Sequence, residues 1–551
     1  MENKNTKKTK KNTDKYTPKD LSENNKSYEI SQNLEQFASL VAMQGASKIP
    51  DYVGTRSGVS KKWSAFEKKI EKNKLREQKL LERIQKQNFA KVLEEDKLSK
   101  NVIQFRKNAK KKDLLKSKSN KRRAKRCNNY LLTKDEDFRE IYFTIDKFNN
   151  NGKKTIVYFI DSFYPLIDGV IAVLDNYATH MQKYYNVVIC APKHKQTCFK
   201  TDKYFVLYSD SMYIKNQDYD LGFPGLDPVF QRYISLLKID LIHIQAPFNM
   251  GSFGLSLAKK RKVPSITSFH SQFKLNFYNA VKNEVIATWL TKILMNVYQK
   301  STVALTMNDF TRKIMKEYGV KRSVQILPNA TNLKPKNFLE SEEISVLEKH
   351  GINNNVFNMI FIGRFVEVKN VYFILDILVE LSKRTRDFNF IFLGYGPEQG
   401  RMQKICKENG IENLIKFTGK IDSADEKAIL IKNSDLLLFP SVYDTDGIVK
   451  IECACYGIPT LCIEDTGVAS NMVDNHNAFI EKYTVDDFVK RIEFLLKNVE
   501  IVKKVGENAK KEIYITWEEV CERLKDIYEK CLRTYHLNNA KKNKNKTTKN
   551  I

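Results

Sequence analysis

The stretch NMIFIGRFVEVKN at residues 358–370 contains the pattern that best indicates the fold class. Its apolar run, Asn358–Ile362, has the length of a buried strand and ends at a glycine. A segment with helical periodicity follows at about 370–383. A short buried strand that leads into a helix is the repeating unit of a parallel sheet, so this stretch predicts an α/β protein.

The same unit recurs on both sides of this stretch. Strand-like runs precede it at Thr155–Ile160, Val187–Ala191, Leu241–Gln245 and Val303–Thr306. Others follow it at Phe388–Leu393, Leu414–Thr418, Leu436–Phe439 and Thr460–Ile463, and helical segments separate them at about 398–408, 423–433, 447–457 and 485–497. Each series has the size of one doubly wound domain. We therefore predict domains at 153–335 and 340–500, helices over 501–535, and a basic tail at 536–551.

The ends of the chain are much more basic than its middle. The 551 residues have a formal net charge of +29, of which +18 lies in residues 1–150 and +5 in residues 541–551. The other 390 residues have a net charge of +6, which is ordinary for a globular protein. Because residues 1–60 are polar and rich in Asn, Lys and Ser, we predict that 1–150 is a basic extension, largely disordered, with a charged helix at about 61–100.

The segment 101–126 contains twelve Lys or Arg residues and one Asp. Two interpretations stay open: contact with a polyanion or an anionic membrane surface, or a solvated lysine-rich tail. Aromatic residues are sparse there, so stacking on nucleic-acid bases has little support.

Other patterns exclude several classes of protein. No window approaches 18 consecutive apolar residues, and the first fifteen residues contain no apolar core. We therefore predict neither a transmembrane helix nor a secretory signal. The nine cysteines are scattered without a zinc or disulfide spacing, so a reducing, cytosolic compartment and no metal site are expected.

Two cations follow the strand of the opening stretch. Arg364 and Lys369 lie between a predicted strand and a predicted helix, where ligands bind in open parallel sheets. Arginine gives bidentate contacts and lysine a point charge, so the pair suits a diphosphate. The alternative is a pair of surface charges, although cations are unfavourable at a helix start unless an anion is present.

The segment from Pro440 to Pro459 has the densest concentration of unusual residues. A predicted strand runs into an acidic loop with Asp444 and Gly447, and the helix that follows places Glu452 among small apolar residues. A buried carboxylate needs hydrogen-bond donors, and sugar hydroxyls would supply them. A position on the solvated face of the helix is an equal alternative. Asp444 and Glu452 could point into one cleft.

Three further positions follow predicted strands. Gly169 precedes a helix and would let backbone N–H groups approach an anion, although many such glycines serve only the turn. His270 follows the strand-like run 264–269, and such a histidine is more often structural than catalytic. Glu398 ends the segment Gly-Tyr-Gly-Pro-Glu, and this sequence is as consistent with a role in turn formation alone as with a role in ligand binding.

Taken in order, these segments resemble the retaining glycosyltransferases of family 4, which have the GT-B fold of two Rossmann-like domains facing a cleft. The resemblance extends from about Thr155 to Glu529. Its motifs are Asp-Gly-Val at 168–170, Pro-Ser-Ile-Thr-Ser-Phe-His at 264–270, Leu-Pro-Asn at 327–329, Gly-Arg at 363–364 with Lys369, Gly-Tyr-Gly-Pro-Glu at 394–398, Phe-Thr-Gly at 417–419, Phe-Pro-Ser at 439–441 and Gly-Ile-Pro at 457–459. The sequence around His270 is most similar to members that glycosylate membrane lipids, such as diacylglycerol glucosyltransferases.

The resemblance implies a role for each candidate residue. Arg364 and Lys369 would hold the donor diphosphate and stabilise the leaving group, and His270 would contact the transferred sugar. Asp444 would contact donor sugar hydroxyls, and Glu452 the donor ribose. The remaining donor-binding positions implied are Gly169, Glu398, Gly447, Ile448 and Val449. The helix beginning near Thr516 would cross back to the N-terminal domain.

Three departures from the family pattern stand out. Asp444 replaces the usual first Glu of a Glu-x7-Glu motif and is one methylene shorter, which puts donor choice or rate in question. Ala330 and Asn332 replace the usual Gly and Asp, and Ala478 stands where Gly is common. None of these removes the diphosphate cations, so we expect an active enzyme.

The expected function is transfer of a hexose from a nucleotide-diphosphate sugar, UDP-glucose or a related donor, with retention of anomeric configuration. The expected acceptor is a membrane lipid or cell-envelope glycan, and the expected location is the cytoplasm or the inner face of the cell membrane. No cofactor is expected, since the two cations could neutralise the diphosphate without a metal. The alternative is a nucleic-acid-binding or scaffold protein that uses residues 60–130 and has a non-catalytic body.

Overall fold

The computed structural model describes residues 135–547, except 167, 196–197, 200 and 215–218. The predicted disorder, the predicted helix at 61–100 and the basic segment 101–126 lie outside the described residues. The final residues of the predicted basic tail, 548–551, also lie outside them.

The first half of the described chain forms a seven-stranded sheet in which every pairing is parallel. Its strands run in the order β3-β2-β1-β6-β7-β8-β9. They are β1 Thr155–Phe159, β2 Asn186–Pro192, β3 Phe205–Ser209, β6 Leu241–Ile244, β7 Ser265–Phe269, β8 Val303–Thr306 and β9 Val324–Ile326. An antiparallel hairpin lies between β3 and β6 in sequence, formed by β4 Ser211–Ile214 and β5 Tyr219–Gly222.

One helix precedes the strands of this first sheet, and others connect them. They are α1 Asp135–Asn150, α2 Gly169–Met181, α3 Pro228–Leu236, α4 Asn249–Arg261, α5 Phe273–Val281, α6 Glu284–Lys300 and α7 Asp309–Glu317. Side-chain caps fix several starts: Asp227 accepts the N–H groups of Val229 and Phe230 ahead of α3, and Asn308 accepts that of Thr311 in α7.

The second half repeats the architecture with six parallel strands in the order β12-β11-β10-β13-β14-β15. The strands are β10 Phe357–Ile362, β11 Phe388–Leu393, β12 Ile415–Gly419, β13 Leu436–Leu438, β14 Thr460–Ile463 and β15 Phe479–Glu481. The helices are α8 Glu340–Lys349, α9 Val371–Ser382, α10 Gln399–Glu408, α11 Ala424–Lys432, α12 Ile448–Ala454, α13 Val485–Lys497, α14 Val499–Glu512 and α15 Trp517–Thr547.

These two doubly wound sheets confirm the predicted α/β class. In each sheet the chain starts at a central strand, adds strands on one side of it, and then crosses over to add strands on the other side. This creates a topological switch point between β1 and β6 in the first sheet and between β10 and β13 in the second. Ligands of such sheets bind beyond the carboxyl ends of the strands at the switch points. The loops after β10 and β13 are those that contain Arg364, Lys369 and Asp444.

Both ends of the described chain pack on the first sheet. Ile145 of α1 is buried with residues of β1 and β2, although the sequence places α1 inside the predicted extension. At the other end, α15 buries Trp517, Leu524 and Tyr528 against the opposite face of that sheet. The helix α15 continues to Thr547, beyond the periodic stretch that ends near Leu532.

Candidate functional site

The second switch point brings together the two loops that the sequence singled out. Lys369 Nζ lies 2.5 and 2.7 Å from the two carboxylate oxygens of Asp444. The neighbouring Asn370 donates from Nδ2 to the carbonyl oxygen of Pro440 at 2.7 Å. The loop after β10 is therefore joined to the loop after β13 by an ion pair and by a side-chain hydrogen bond.

Arg364 differs from Lys369 in its surroundings. It is exposed, and no ion pair or hydrogen bond to its side chain is found within the part of the chain that the structure describes. Of the two predicted diphosphate cations, one is thus held by a carboxylate while the other is available to a ligand.

Close backbone contact fixes the position of the loop that bears Arg364. The Phe365 N–H donates to the carbonyl oxygen of Tyr395 at 3.0 Å. A Cβ atom added to Gly396 would lie 2.2 Å from the Phe365 carbonyl oxygen, so only glycine fits. Glu398 lies at the start of α10, where its carboxylate accepts a hydrogen bond from the Tyr372 hydroxyl.

The helix α12 begins immediately after the acidic loop. Gly447 has φ +83°, a conformation that L side chains rarely adopt, and an added Cβ would lie 2.9 Å from the Phe439 ring. Ile448 and Val449 form the first turn of α12. Ile448 packs on the core of the first sheet and Val449 on the core of the second, so this turn contacts both halves of the molecule.

Glu452 has a protein partner of its own. Lys427 Nζ lies 2.7 Å from each of its carboxylate oxygens, and the Glu452 side chain is 17% exposed. Asp444 and Glu452, which the sequence suggested could share one cleft, each pair with a different lysine.

A fully buried ion pair that was not predicted from the sequence lies next to this loop. Lys450 Nζ lies 2.8 Å from Asp446 Oδ1 and donates to the Val468 carbonyl oxygen at 2.8 Å. Both side chains are at most 3% exposed. A lysine between Val449 and Ile451 was the available signal, because burying an ammonium group requires a partner.

On the first sheet, His270 follows β7 and contacts a residue that follows the neighbouring strand β6. The ring Nε2 of His270 lies 2.9 Å from Oε1 of Gln245. Burial lowers the pKa of His270 to about 4, so the ring is neutral near neutral pH. Gln245 was not among the residues predicted from sequence.

Gly169 is the first residue of α2, at the predicted anion position. The Asp168 carboxylate caps this helix by accepting the N–H groups of Val170 at 2.5 Å and Ile171 at 3.1 Å. Two of the N–H groups that an anion would use are therefore already paired.

The two halves of the molecule meet at the acidic loop. The Thr445 hydroxyl donates to the His270 carbonyl oxygen at 3.0 Å. Gln272 Nε2 donates to the Tyr443 carbonyl oxygen at 2.9 Å, and Asn308 Nδ2 donates to that of Thr445 at 2.8 Å. His270 and Asp444 are thus brought to the same junction, with Thr445 in contact with both loops.

The described residues contain no group of three or more His, Cys, Asp or Glu side chains arranged to hold a metal ion. Among the same residues, no helix is long and apolar enough to cross a membrane.

Comparison with known proteins identifies the family. The model of glycosyltransferase family 4 matches residues 167–334, and the model of glycosyl transferases group 1 matches residues 342–512. The two matches correspond to the two sheet domains in order. The chain belongs to the family 4 glycosyltransferases and is a glycosyltransferase of the GT-B type.

Two related proteins are alpha-monoglucosyldiacylglycerol synthases. The chain is 24% identical over 406 residues to alpha-monoglucosyldiacylglycerol synthase of Acholeplasma laidlawii, covering 71% of this chain and 98% of that protein. It is 21% identical over 313 residues to the enzyme of the same name from Streptococcus pneumoniae, covering 55% of this chain and 69% of the relative.

Solved structures support the fold assignment. Anabaena Alr3699/HepE in complex with UDP has a TM-score of 0.56 and 14% identity, covering 69% of this chain and all of that protein. WaaG, a glycosyltransferase involved in lipopolysaccharide biosynthesis, has a TM-score of 0.51 and 14% identity, covering 68% of this chain and 99% of that protein. These likenesses, together with the two sheets, confirm the predicted GT-B fold.

Proposed function

We propose that this protein transfers a hexose from a nucleotide-diphosphate sugar, UDP-glucose or a close relative, to a diacylglycerol-type membrane lipid with retention of anomeric configuration. The observation that carries the proposal is the second switch point, where exposed Arg364 and the Lys369–Asp444 pair lie on adjoining loops. The lipid acceptor is inferred from the two related alpha-monoglucosyldiacylglycerol synthases.

The chemistry of the proposal follows from charge. The donor departs as an anionic nucleotide diphosphate, so cations placed where negative charge develops lower the barrier most. Arg364 would contact the diphosphate directly. Lys369 would approach it while Asp444 moves its hydrogen bonds from lysine to hydroxyls of the donor sugar.

Glu452 and the junction complete the proposed donor site. Glu452, held by Lys427, would accept hydrogen bonds from the donor ribose. Glu398, Gly447, Ile448, Val449 and Gly169 would line the donor. His270, on the opposite half, would contact the transferred sugar. The contacts between the halves at Thr445 and Asn308 would exclude water from the reacting carbon and limit donor hydrolysis.

The proposed acceptor implies a place of action. A diacylglycerol acceptor lies in a membrane, so the enzyme would work at the inner membrane surface as a peripheral protein. The basic segment 101–126 would attract anionic lipid at roughly 1 kcal/mol per cation near the surface. The alternative nucleic-acid-binding function would use residues 60–130, and it stays a prediction.

The decisive test substitutes residues of the proposed donor site. Arg364→Ala and Glu452→Gln should each lower transfer of labelled glucose from UDP-glucose to diacylglycerol vesicles by about 10²-fold or more, because each removes a charge-assisted contact to the donor. The matched control is Arg386→Ala. Arg386 is an exposed arginine that precedes β11, so it lies at the amino ends of the strands of the same sheet.

The outcomes separate clearly. Loss in both site variants with normal transfer by the control supports the proposal, provided that thermal unfolding is unchanged. Normal transfer by both site variants would contradict it. The anomeric configuration of the product shows whether transfer proceeds with retention. The donor is identified by measuring the Tm with UDP-glucose, UDP-galactose and GDP-mannose, since a bound ligand stabilises the folded protein by mass action and raises its Tm.

A further inference from the structure

Gln245 lies beside the first switch point and is almost fully buried. It follows β6, whose neighbours are β1 and β7, and it is 1% exposed. Its N–H donates to the carbonyl oxygen of Phe159 at 2.8 Å, which fixes its backbone against the end of β1. Its side chain then extends to His270 at the end of β7, 2.9 Å away.

The contact dictates which ring nitrogen carries the proton. A carboxamide oxygen can only accept a hydrogen bond, so Nε2 of His270 must donate to Oε1 of Gln245. In a neutral imidazole the other nitrogen is then unprotonated and can accept. Burial lowers the pKa of His270 to about 4, which keeps the ring neutral near neutral pH.

Packing alone does not account for a glutamine at this position. The Gln245 Nε2 amide group is buried and has no hydrogen-bond acceptor among the described residues. A buried donor left unpaired costs roughly 1–3 kcal/mol. A methionine of similar volume would avoid this cost, so the bond to His270 is the feature that distinguishes glutamine from an apolar residue here.

The backbone of His270 is restrained from the opposite half of the molecule. Thr445, next to Asp444, donates its hydroxyl to the His270 carbonyl oxygen at 3.0 Å. One half of the molecule therefore holds the ring of His270, and the other half holds its main chain. Both restraints act on the residue proposed to contact the transferred sugar.

We propose that Gln245 is a positioning residue: it holds His270 in the Nε2–H tautomer and leaves Nδ1 as an acceptor for a hydroxyl of the transferred sugar. The role of Nδ1 rests on the proposed function, whereas the tautomer does not. Gln245 itself acts through His270 and contacts no reacting atom.

The first test measures the tautomer directly in the full-length protein without substrate. Nitrogen-15 histidine spectra at neutral pH report which ring nitrogen is protonated, and His270→Gln identifies the signals of His270. We expect a protonated Nε2 and an unprotonated Nδ1 in the wild type, and a mixture of tautomers in Gln245→Met. A wild-type ring protonated at Nδ1, or an unchanged tautomer in the variant, would overturn the proposal.

The second test separates positioning from general stability. Gln245→Met should lower kcat on the order of ten- to hundredfold while the KM for the donor changes little, because the misoriented ring affects the transition state more than donor binding. The control is Gln231→Met, a glutamine of α3 that bonds to the Pro224 carbonyl oxygen. An equal loss of kcat in both variants, or none in Gln245→Met, would overturn the proposal.

The two tests also distinguish this inference from the proposed function. If Arg364→Ala retains full transfer, the proposed donor site is wrong, and the tautomer of His270 still stands or falls on the spectra. If Arg364→Ala loses transfer but the wild-type spectra show Nδ1 protonated, the proposed function survives and the role of Gln245 does not.

Discussion

The loops after β7 and β10 both follow parallel strands, one in each sheet, yet they present opposite chemistry. The loop after β10 contains an exposed arginine and a lysine paired with Asp444. The loop after β7 contains His270, whose ring is neutral and bonded to the amide of Gln245. Loops that follow strands in the same architecture can therefore serve a charged ligand group in one half and an uncharged one in the other.

The largest expected effect falls on the charged loop. Lys369→Met should lower transfer about 10²- to 10³-fold, because it removes a cation from the proposed diphosphate site and leaves Asp444 without its partner. Steady-state transfer assays measure the loss. The control is Lys420→Met, which breaks an exposed Lys420–Asp422 pair in the same domain. Equal activity of Lys369→Met and Lys420→Met would show that the loop after β10 has no special role in transfer.

A second prediction concerns the backbone that supports the charged loop. Gly396→Ala should lower the free energy of unfolding by about 1–3 kcal/mol, because its Cβ would lie 2.2 Å from the Phe365 carbonyl oxygen. Gly400→Ala is the control, since a Cβ there meets nothing within 4 Å and alanine favours the helix α10. Urea unfolding compares the two, and a Gly396→Ala protein as stable as the wild type would show that the two loops do not pack tightly.

The neutral histidine leads to a prediction about acid. The pKa of His270 is about 4 when folded and about 6.5 when unfolded, so between these values the unfolded chain binds more protons. Its contribution to stability is present above about pH 6.5 and is lost as the pH falls towards 4. The free energy of unfolding of His270→Gln should therefore fall by roughly 2 kcal/mol less than that of the wild type between pH 7 and pH 4.5.

Chemical unfolding at several pH values measures this difference. Gln231→Met, which changes no titratable group, should follow the wild-type profile more closely. Parallel profiles for the wild type and His270→Gln would mean that His270 titrates normally in the folded protein.

The smallest expected effect concerns the departure at Asp444. Asp444→Glu restores the residue usual in the family and keeps the carboxylate that pairs with Lys369. We expect a change of less than about tenfold in kcat/KM, and a change in the ratio of activities with UDP-glucose and UDP-galactose, because the carboxylate reaches one methylene further. Asp444→Asn is the comparison, since it removes the charge at constant length and should cost more.

The fold could be predicted largely from local patterns. The apolar run Asn358–Ile362 became β10, Phe357–Ile362, because buried parallel strands are continuous apolar segments that end at glycine or polar residues. The helix α15 extends to Thr547 because polar, basic residues without apolar periodicity can still continue a helix that is anchored at Trp517 and Leu524.

The site could be predicted only in part. Arg364, Lys369 and Asp444 stand out because charged residues follow buried strands. The contact between Asn308 and Thr445 joins residues 137 positions apart, and neither residue is unusual in its local sequence. Gln245 was missed for the same reason, because its significance comes from the neighbouring strand β7 and not from its own segment.

The proposed function requires that the charged loops after β10 and β13 hold the donor diphosphate. Isothermal titration of UDP and of uridine into the wild type and into a combined Arg364→Gln, Lys369→Met variant measures this role of the two cations. We predict that the variant binds UDP at least tenfold more weakly than the wild type, while uridine binds both proteins equally. Equal affinity of the two proteins for UDP would contradict the claim.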